Sequence, residues 1–266
     1  VLTKRFDRHA GAAYIPQGPE MAPDPENYGP FLEALSESLV QQLDPRIAFI
    51  RYDLPWRSPY QSDDESPDWQ GHPEARLREL RMNFSTQAWN LRKAAIDMTV
   101  ADTCVVDISG SEQDILRRMK SKTRYNIRLA ERKEVAVERV GVEMLPAFYE
   151  LHRRTAERNG FLVCPDRYFA ALFSDGAADP DTSKILFLLA RRGPDLLAGG
   201  IVAPSGQTAH YLFGGSSSEN RNLMGSYALH WEAIRQARAR GCQRYDMGAV
   251  APQKDPDHPF YGLLRF

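Results

Sequence analysis

Six basic side chains and no acidic one fall between Arg117 and Arg128, in a chain of 266 residues whose 34 lysines and arginines are balanced by 35 aspartates and glutamates. Guanidinium and ammonium groups gathered in this way attract anions, and the guanidinium fork matches the paired oxygens of a phosphate. Lys122, Arg124, Asn126 and Arg128 form the candidate phosphate-binding set, with Tyr125 and Asn126 placing a ring and an amide among the charges. A solvated basic face is the alternative. On a helix, Lys120, Arg124 and Arg128 recur at steps of four and repel one another by a few tenths of a kcal/mol per pair (about that much at a surface), a local penalty that a polyanion would relieve. Arg124→Ala is therefore expected to weaken polyanion binding and leave the fold intact.

A second anion-binding candidate is GGSSSENRNLMGSYALHW, Gly214 to Trp231, a small-residue loop that leads into a helix. The first amides of a helix have no internal acceptor and point at whatever lies beyond the helix start. Ser226 and Tyr227 open that helix and join the candidate binding residues, although an ordinary Gly/Ser loop has the same letters. Other chemistries find no support. The chain has no G-x-x-x-x-G-K-S/T, no G-x-G-x-x-G and no G-x-S-x-G. Its histidines (His9, His72, His152, His210, His230, His258) include no pair at helix-ligand spacing, and Cys104, Cys164 and Cys242 form no CxxC. No metal is expected, and the cysteines are expected to be buried small hydrophobes.

Positioning these groups requires a folded frame, and 42% hydrophobic with 26% charged residues suits one. The longest purely apolar run, Ile185 to Ala190, is far shorter than the roughly 20 residues that cross a bilayer, and a cytoplasmic location is expected. The chain opens on Val1 and closes on a segment that reads as unfinished, so native sequence is expected to be missing at one or both ends. Pro and Gly mark loops at Ile15–Pro30 and Trp56–Pro73. Between them Phe31, Leu32, Leu35, Leu39 and Leu43 predict a helix, and Ile47–Asp53 a strand. Thr103–Ile108 reads as a strand, and Ser109 to Glu112 has the S-x-x-E spacing of a capping box. The basic run then lies on one helix from Glu112, buried through Leu116, Met119, Thr123, Ile127 and Ala130. Val135–Val140 is the next strand and Met144–Arg158 the next helix. Strands at Lys184–Ala190, Leu196–Val202 and Thr208–Phe213 follow, joined by Gly-Pro-Asp and Pro-Ser-Gly turns. Tyr227, Trp231, Ile234 and Ala237 mark a last helix stopped by Gly241, with Arg235, Arg238 and Arg240 complementing its C-terminal dipole. A helix followed by FIRYDLP in the first half is echoed by a helix followed by CQRYDMG in the second, which suggests two similar α/β units.

The strand Thr103–Ile108 followed by KSKTRYNIRLAERKEV resembles the signature of the Fem family of aminoacyltransferases (FemX, FemA, FemB and MurM types). AAYIPQGP, FIRYD, FYELHRRTAERNGF, AHYLFGGSSSENRNLMGSYALHWEAI and GLLRF extend the resemblance over nearly the whole chain. It implies a mixed α/β protein of two GNAT-like domains, the first truncated at its N-terminus: 1–102, and 103–266 with the last residues returning to the first domain. The absence of a long charged heptad insertion fits the shorter FemX-like form. It also implies transfer of glycine, alanine or serine from aminoacyl-tRNA to the stem-peptide amine of lipid II or UDP-MurNAc-pentapeptide, with aminoacyl-tRNA as co-substrate and no resident cofactor. A basic face could then also touch the anionic inner leaflet. By the same resemblance Asp53 is the catalytic candidate, as base or amine-orienting group, though it could equally cap its strand. Tyr211 matches a substrate-contacting tyrosine, and Arg167 and Tyr168 are candidates for gripping the precursor. Glu134 stands where relatives carry glycine, and a lysine of the family's reaction centre would follow Phe266. A conventional acyl-CoA N-acyltransferase and a non-catalytic tRNA-binding module are the alternatives.

Overall fold

The computed structural model describes residues 1–60, 73–96, 98, 103–173 and 185–250. The chain divides into two compact units, Val1–Ala101 and Asp102–Phe266. The GLLRF segment, the expected return of the last residues and most of the polar stretch between Trp56 and Pro73 lie outside the described residues.

In the first unit β1 (Leu2–Arg5) runs antiparallel to β2 (Gly11–Ile15), and β3 (Ile47–Tyr52) lies parallel to β2. A parallel pair needs a crossover, and α1 (Tyr28–Val40) supplies it. The second helix of this unit, α2 (Ala75–Asn83), packs so closely that a Cβ on Gly29 of α1 would lie 1.7 Å from the Met82 carbonyl oxygen. Buried Glu33 of α1 accepts the Gln87 and Ala88 amides at 2.8 and 2.7 Å, which satisfies a carboxylate that burial would otherwise penalise.

The second unit is a six-stranded sheet covered on both faces. Along the chain come β4 (Thr103–Asp107), α3 (Glu112–Arg118), α4 (Ser121–Arg132), β5 (Ala136–Arg139), α5 (Leu145–Asn159) and α6 (Asp166–Leu172). β6 (Leu186–Arg192), β7 (Asp195–Ser205), β8 (Thr208–Ser216), α7 (Gly225–Ala239) and β9 (Arg244–Ala249) complete it, in the sheet order β4-β9-β8-β7-β6-β5. β6 to β8 form a meander whose two-residue turns each begin on a glycine of positive φ, Gly193 (55°) and Gly206 (54°), matching the twist of the strands they join. Alternate residues of β6 feed two cores. Leu186, Leu188 and Ala190 pack with Leu229, Ile234 and Tyr245, while Phe187 and Leu189 pack with Phe148 and Phe169. A strand buried on both faces reads as a continuous apolar run, as this one does.

Three expectations are corrected. The single helix from Glu112 is two, because Met119 and Lys120 are extended (ψ 153° and 146°). Arg124 accounts for the break: its guanidinium reaches back to the Leu116, Arg117 and Met119 carbonyls and satisfies the orphan C-terminus of α3. The capping box is Ser111 with Asp114, two residues later than expected, since Ser109 instead bonds the Asp107 carboxylate at 2.6 Å. Only Cys242 is buried, Cys104 and Cys164 being partly exposed at a sheet edge and in a loop. Arg238 in the last turn of α7 and Arg240 at its C-cap stand where the dipole favours a cation, and Arg240 also bonds the Gln236 carbonyl at 3.2 Å; Arg235 pairs with Glu112 and Glu232. Glu134 is left-handed (φ 58°), a conformation that glycine adopts more readily.

Candidate functional site

β8 and β9 pair only through Thr208–Arg244, Ala209–Tyr245 and His210–Asp246, whereas β8 runs on to Ser216. Beyond His210 the ladder ends, and the wedge is the place where β8 runs on past Met247 and Gly248, with the Tyr211 carbonyl 3.5 Å from where a Cβ on Gly248 would lie. A bulge lies beside it: Val202 of β7 pairs with Tyr211 and Ile201 with Phe213, leaving Leu212 extra. Two glycines make room for the Tyr211 ring. A Cβ on Gly200 would lie 2.8 Å from its Cε2, and one on Gly214 would lie 1.4 Å from its hydroxyl. Burial raises the Tyr211 phenol well above its ordinary range, so it remains a neutral donor.

Behind Tyr211 stands His230 of α7, ring centroids 4.7 Å apart, with its Nδ1 3.0 Å from the Tyr245 hydroxyl. Burial pushes His230 down to about 4, so the imidazole is neutral at pH 7. On the opposite face of the sheet Asp246 faces His210 at 3.4 Å and accepts the Gly248 amide at 2.9 Å. His152 of α5, buried among Phe148, Phe161, Phe169 and Phe213, lies 2.7 Å from the Gly214 carbonyl and fixes the wall of the wedge; that oxygen makes its Nδ1 the donor.

In the first unit Asp53 follows the last residue of β3. Its carboxylate accepts the Tyr14 hydroxyl at 2.6 Å and the Arg51 Nε at 3.2 Å, and its side chain is 11% exposed. Burial, then the hydrogen bond and charge of Asp53, raise Tyr14 to about 12, which makes the phenol the donor at neutral pH. The Asp53 backbone is tied as well, its amide to Ile15 and its carbonyl to the Gly18 amide, both at 3.1 Å. A shielded carboxylate whose orientation is fixed by Tyr14 and Arg51 can align an amine or take a proton from it.

The other predicted residues fall in three places. On α4, Lys122 and Arg128 are exposed beside Tyr125, whose ring lies 5.7 Å from the Arg132 guanidinium. Asn126 is buried and Arg124 is engaged by α3, so of the expected Lys120, Arg124 and Arg128 only Arg124 leaves the exposed basic face, which is Lys120, Lys122, Arg128 and Arg132. Ser226 and Tyr227 are in the first turn of α7, which has no side-chain cap; the Tyr227 amide bonds Met224 at 3.0 Å. Arg167 and Tyr168 lie on α6, with the Tyr168 ring 5.9 Å from that of Phe213. The sheet thus separates Tyr168, which sits on the Phe213 side, from Tyr211, which packs into the core under α7. Sequence reasoning passed over Tyr14, His210, His230 and Asp246, although the second R-Y-D, at Arg244–Asp246, was the available signal for the last.

Comparison with known proteins places this architecture. The FemAB family model matches residues 4–178, about two thirds of the chain, and runs across both units. The chain belongs to the FemAB family. An acetyltransferase (GNAT) domain model matches residues 117–258 of this FemAB protein, the span that contains the wedge. The crystal structure of FemX superimposes with a TM-score of 0.70 at 19% identity, covering 98% of this chain and 77% of that one, which establishes the shared fold of GNAT-like domains. Lipid II:glycine glycyltransferase of Staphylococcus aureus is 25% identical over 227 residues, covering 62% of this chain and 54% of the relative. The FemAB protein therefore spans about half the length of the curated relatives it matches.

Proposed function

We propose that this chain is the transferase portion of an enzyme that moves an amino acid from aminoacyl-tRNA to the stem-peptide amine of a peptidoglycan precursor. The observation that carries the reading is the FemAB match, which spans Asp53, with its Tyr14 and Arg51 donors, and the basic helix α4. In the reaction the neutral amine nitrogen attacks the ester carbonyl and the carbon–oxygen bond to the ribose breaks. An amide forms, the ammonium proton of the adduct passes to Asp53, and the ribose oxygen takes up a proton as it leaves. Because the ester is already activated, holding the two substrates together supplies much of the rate.

Lys122 and Arg128, with Tyr125 between them, offer RNA both phosphate pairing and a stacking ring. Asn126 is buried and supports α4 from within. Tyr211, Ser226 and Tyr227 line or adjoin the wedge as substrate contacts, and Arg167 and Tyr168 are the more remote pair. The similarity to a glycyltransferase that uses lipid II favours glycine and a lipid-linked acceptor over alanine, serine or UDP-MurNAc-pentapeptide. The protein would then work on the cytoplasmic side of the membrane and touch the leaflet peripherally. Among the described residues no helix is long and apolar enough to cross it. No cofactor beyond the aminoacyl-tRNA is required.

The test is to incubate the protein with labelled aminoacyl-tRNA and either nucleotide-linked or lipid-linked muropeptide and to read products by mass. Label on either precursor supports the reading and identifies both amino acid and acceptor. Turnover of an acyl-CoA thioester in its place would overturn it in favour of a conventional N-acyltransferase, the reading the GNAT match allows.

A further inference from the structure

We infer that α2 of the first unit is a docking face for an anionic lipid surface, distinct from the basic face of α4. The helix wears its apolar side outward. Leu77 and Leu80, with Phe84 at the C-cap, recur at steps of three and four and so share one side of α2, where they are between 43% and 71% exposed. Polar groups take the inward places. Glu79 accepts the Lys93 amide at 2.9 Å, and buried Asn83 accepts the Leu91 amide at 3.1 Å and donates to the Leu91 carbonyl at 2.9 Å. Single apolar residues scattered over a surface are ordinary, but a stripe at helical spacing on the solvent side, opposite a satisfied polar side, marks a surface that is covered in use.

The charge around the stripe decides what covers it. Around the helix axis Arg76 stands about 40° beyond Leu80, and Arg81 about 40° beyond Leu77, so exposed arginines border the stripe on both flanks. Among the described residues neither forms an ion pair. The loop after the helix adds exposed Trp89 and Arg92, whose guanidinium donates to the Trp89 and Leu91 carbonyls at 3.0 and 3.1 Å. From Glu74 to Lys93 five basic residues stand against two acids, in a chain of net charge −1. An acidic partner alone would answer the arginines and leave the leucines in water, and a second copy of the same face would bring further arginines to these. A bilayer interface meets both demands. The leucine and phenylalanine side chains enter the acyl boundary, the arginine stems lie along them with their guanidinium groups at the lipid phosphates, and tryptophan suits the headgroup level.

Flotation with vesicles of phosphatidylcholine, alone or mixed with phosphatidylglycerol, tests the proposal. Wild type should float with the anionic vesicles and bind the neutral ones less. Leu77→Gln with Leu80→Gln, exposed positions given a residue that still favours helix, should lower the partition onto anionic vesicles at least about tenfold at unchanged melting temperature. Arg76→Gln with Arg81→Gln should lower it roughly thirtyfold, the worth of two surface cations, and remove most of the preference for anionic lipid. Lys122→Gln with Arg128→Gln, on α4, is the comparison and should float as wild type does. Wild type that binds neither vesicle, α2 variants that float like wild type, or a loss confined to the α4 variant would each overturn the proposal. A wild-type dimer in sedimentation velocity that the leucine variant dissociates, with no vesicle binding, would give the stripe to a second copy instead. The proposal rests on the transferase reading for the membrane it would meet, the one that holds a lipid-linked acceptor. Flotation needs no turnover, so either idea can fail without the other.

Discussion

The β2-α1-β3 segment of the first unit and the β8-α7-β9 segment of the second are built alike. In each, the first strand lies antiparallel to its predecessor, a helix crosses over, and a parallel strand follows whose sequence is Arg-Tyr-Asp. The tyrosine turns to the crossover helix in both, Tyr52 to Ser36 at 2.8 Å and Tyr245 to His230 at 3.0 Å. The aspartate turns to the preceding strand, Asp53 to Tyr14 at 2.6 Å and Asp246 to His210 at 3.4 Å. One frame therefore carries two chemistries. In the first unit the acid is the tightly held group, with a phenol and a guanidinium as donors. In the second the helix-side pair is the buried one, and its neutral imidazole backs the tyrosine that lines the wedge.

If that division is real, the largest contrast should appear between the two aspartates. Asp53→Asn removes a proton acceptor while preserving shape, and transfer should fall by about 100-fold or more, the usual worth of a general base. Asp246→Asn should stay within a few-fold of wild type. Comparable losses in the two variants, measured as kcat/KM with aminoacyl-tRNA, would erase the distinction.

The helix-side pairs differ next. His230 titrates near 4 in the folded protein and near 6.5 when unfolded, so the unfolded chain binds the extra proton between those values. Its contribution is complete above about 6.5 and is lost as pH falls through 4, a decline of roughly 3 kcal/mol. Urea unfolding from pH 7 to 4 should show it, and His230→Gln should flatten that part of the profile. Ser36→Ala, at the matching place in the first unit, should leave the pH slope unchanged.

How much of this could be read in advance follows from what local sequence encodes. The β6–β8 meander was legible because Gly193 and Gly206 mark its turns and apolar runs lie between them. The family was legible in the letters around Arg124, and the R-Y-D echo exposed the repeated frame. Side-chain destinations were not. Arg124 looks like a phosphate ligand by spacing, and it bonds the end of α3 because extended Met119 and Lys120 bring those carbonyls within reach. Asn126 belongs to the same basic run and is buried, since position around α4 decides its side. Tyr14 and Asp53 are 39 residues apart, and the parallel pairing of β2 and β3 joins them. Non-local registers of that kind leave no mark at short spacing.

The wedge gives a smaller effect with a sharper control. Gly214→Ala places a methyl where the Tyr211 hydroxyl lies, and displacing the ring should cost about 1–3 kcal/mol. Tyr211→Phe removes the atom in closest conflict, so the double variant should recover part of the loss by thermal denaturation. Additive losses would mean that the clash is with the wall rather than with the tyrosine. At Gly18, in the turn next to Asp53, a Cβ would press on the Ile15 Cγ2 at 3.1 Å, a tight approach that a few tenths of an ångström of side-chain movement relieves, so alanine should carry less penalty there.

The finest test concerns Tyr14. Its hydroxyl orients one oxygen of Asp53 and Arg51 orients the other, so removing the phenol takes a 2.6 Å donor from the carboxylate. Tyr14→Phe keeps the ring and the packing of β2, and the expected result is a fall in kcat of about three- to tenfold with little change in KM, as an orientation effect predicts. His210→Phe makes the equivalent change beside Asp246, where the contact is longer and the imidazole lies on the outer face of the sheet. It should leave kcat unaltered. A loss in KM rather than kcat for Tyr14→Phe would make Tyr14 a binding contact, and the strand-to-aspartate pair would then serve substrate capture in the first unit instead of proton transfer.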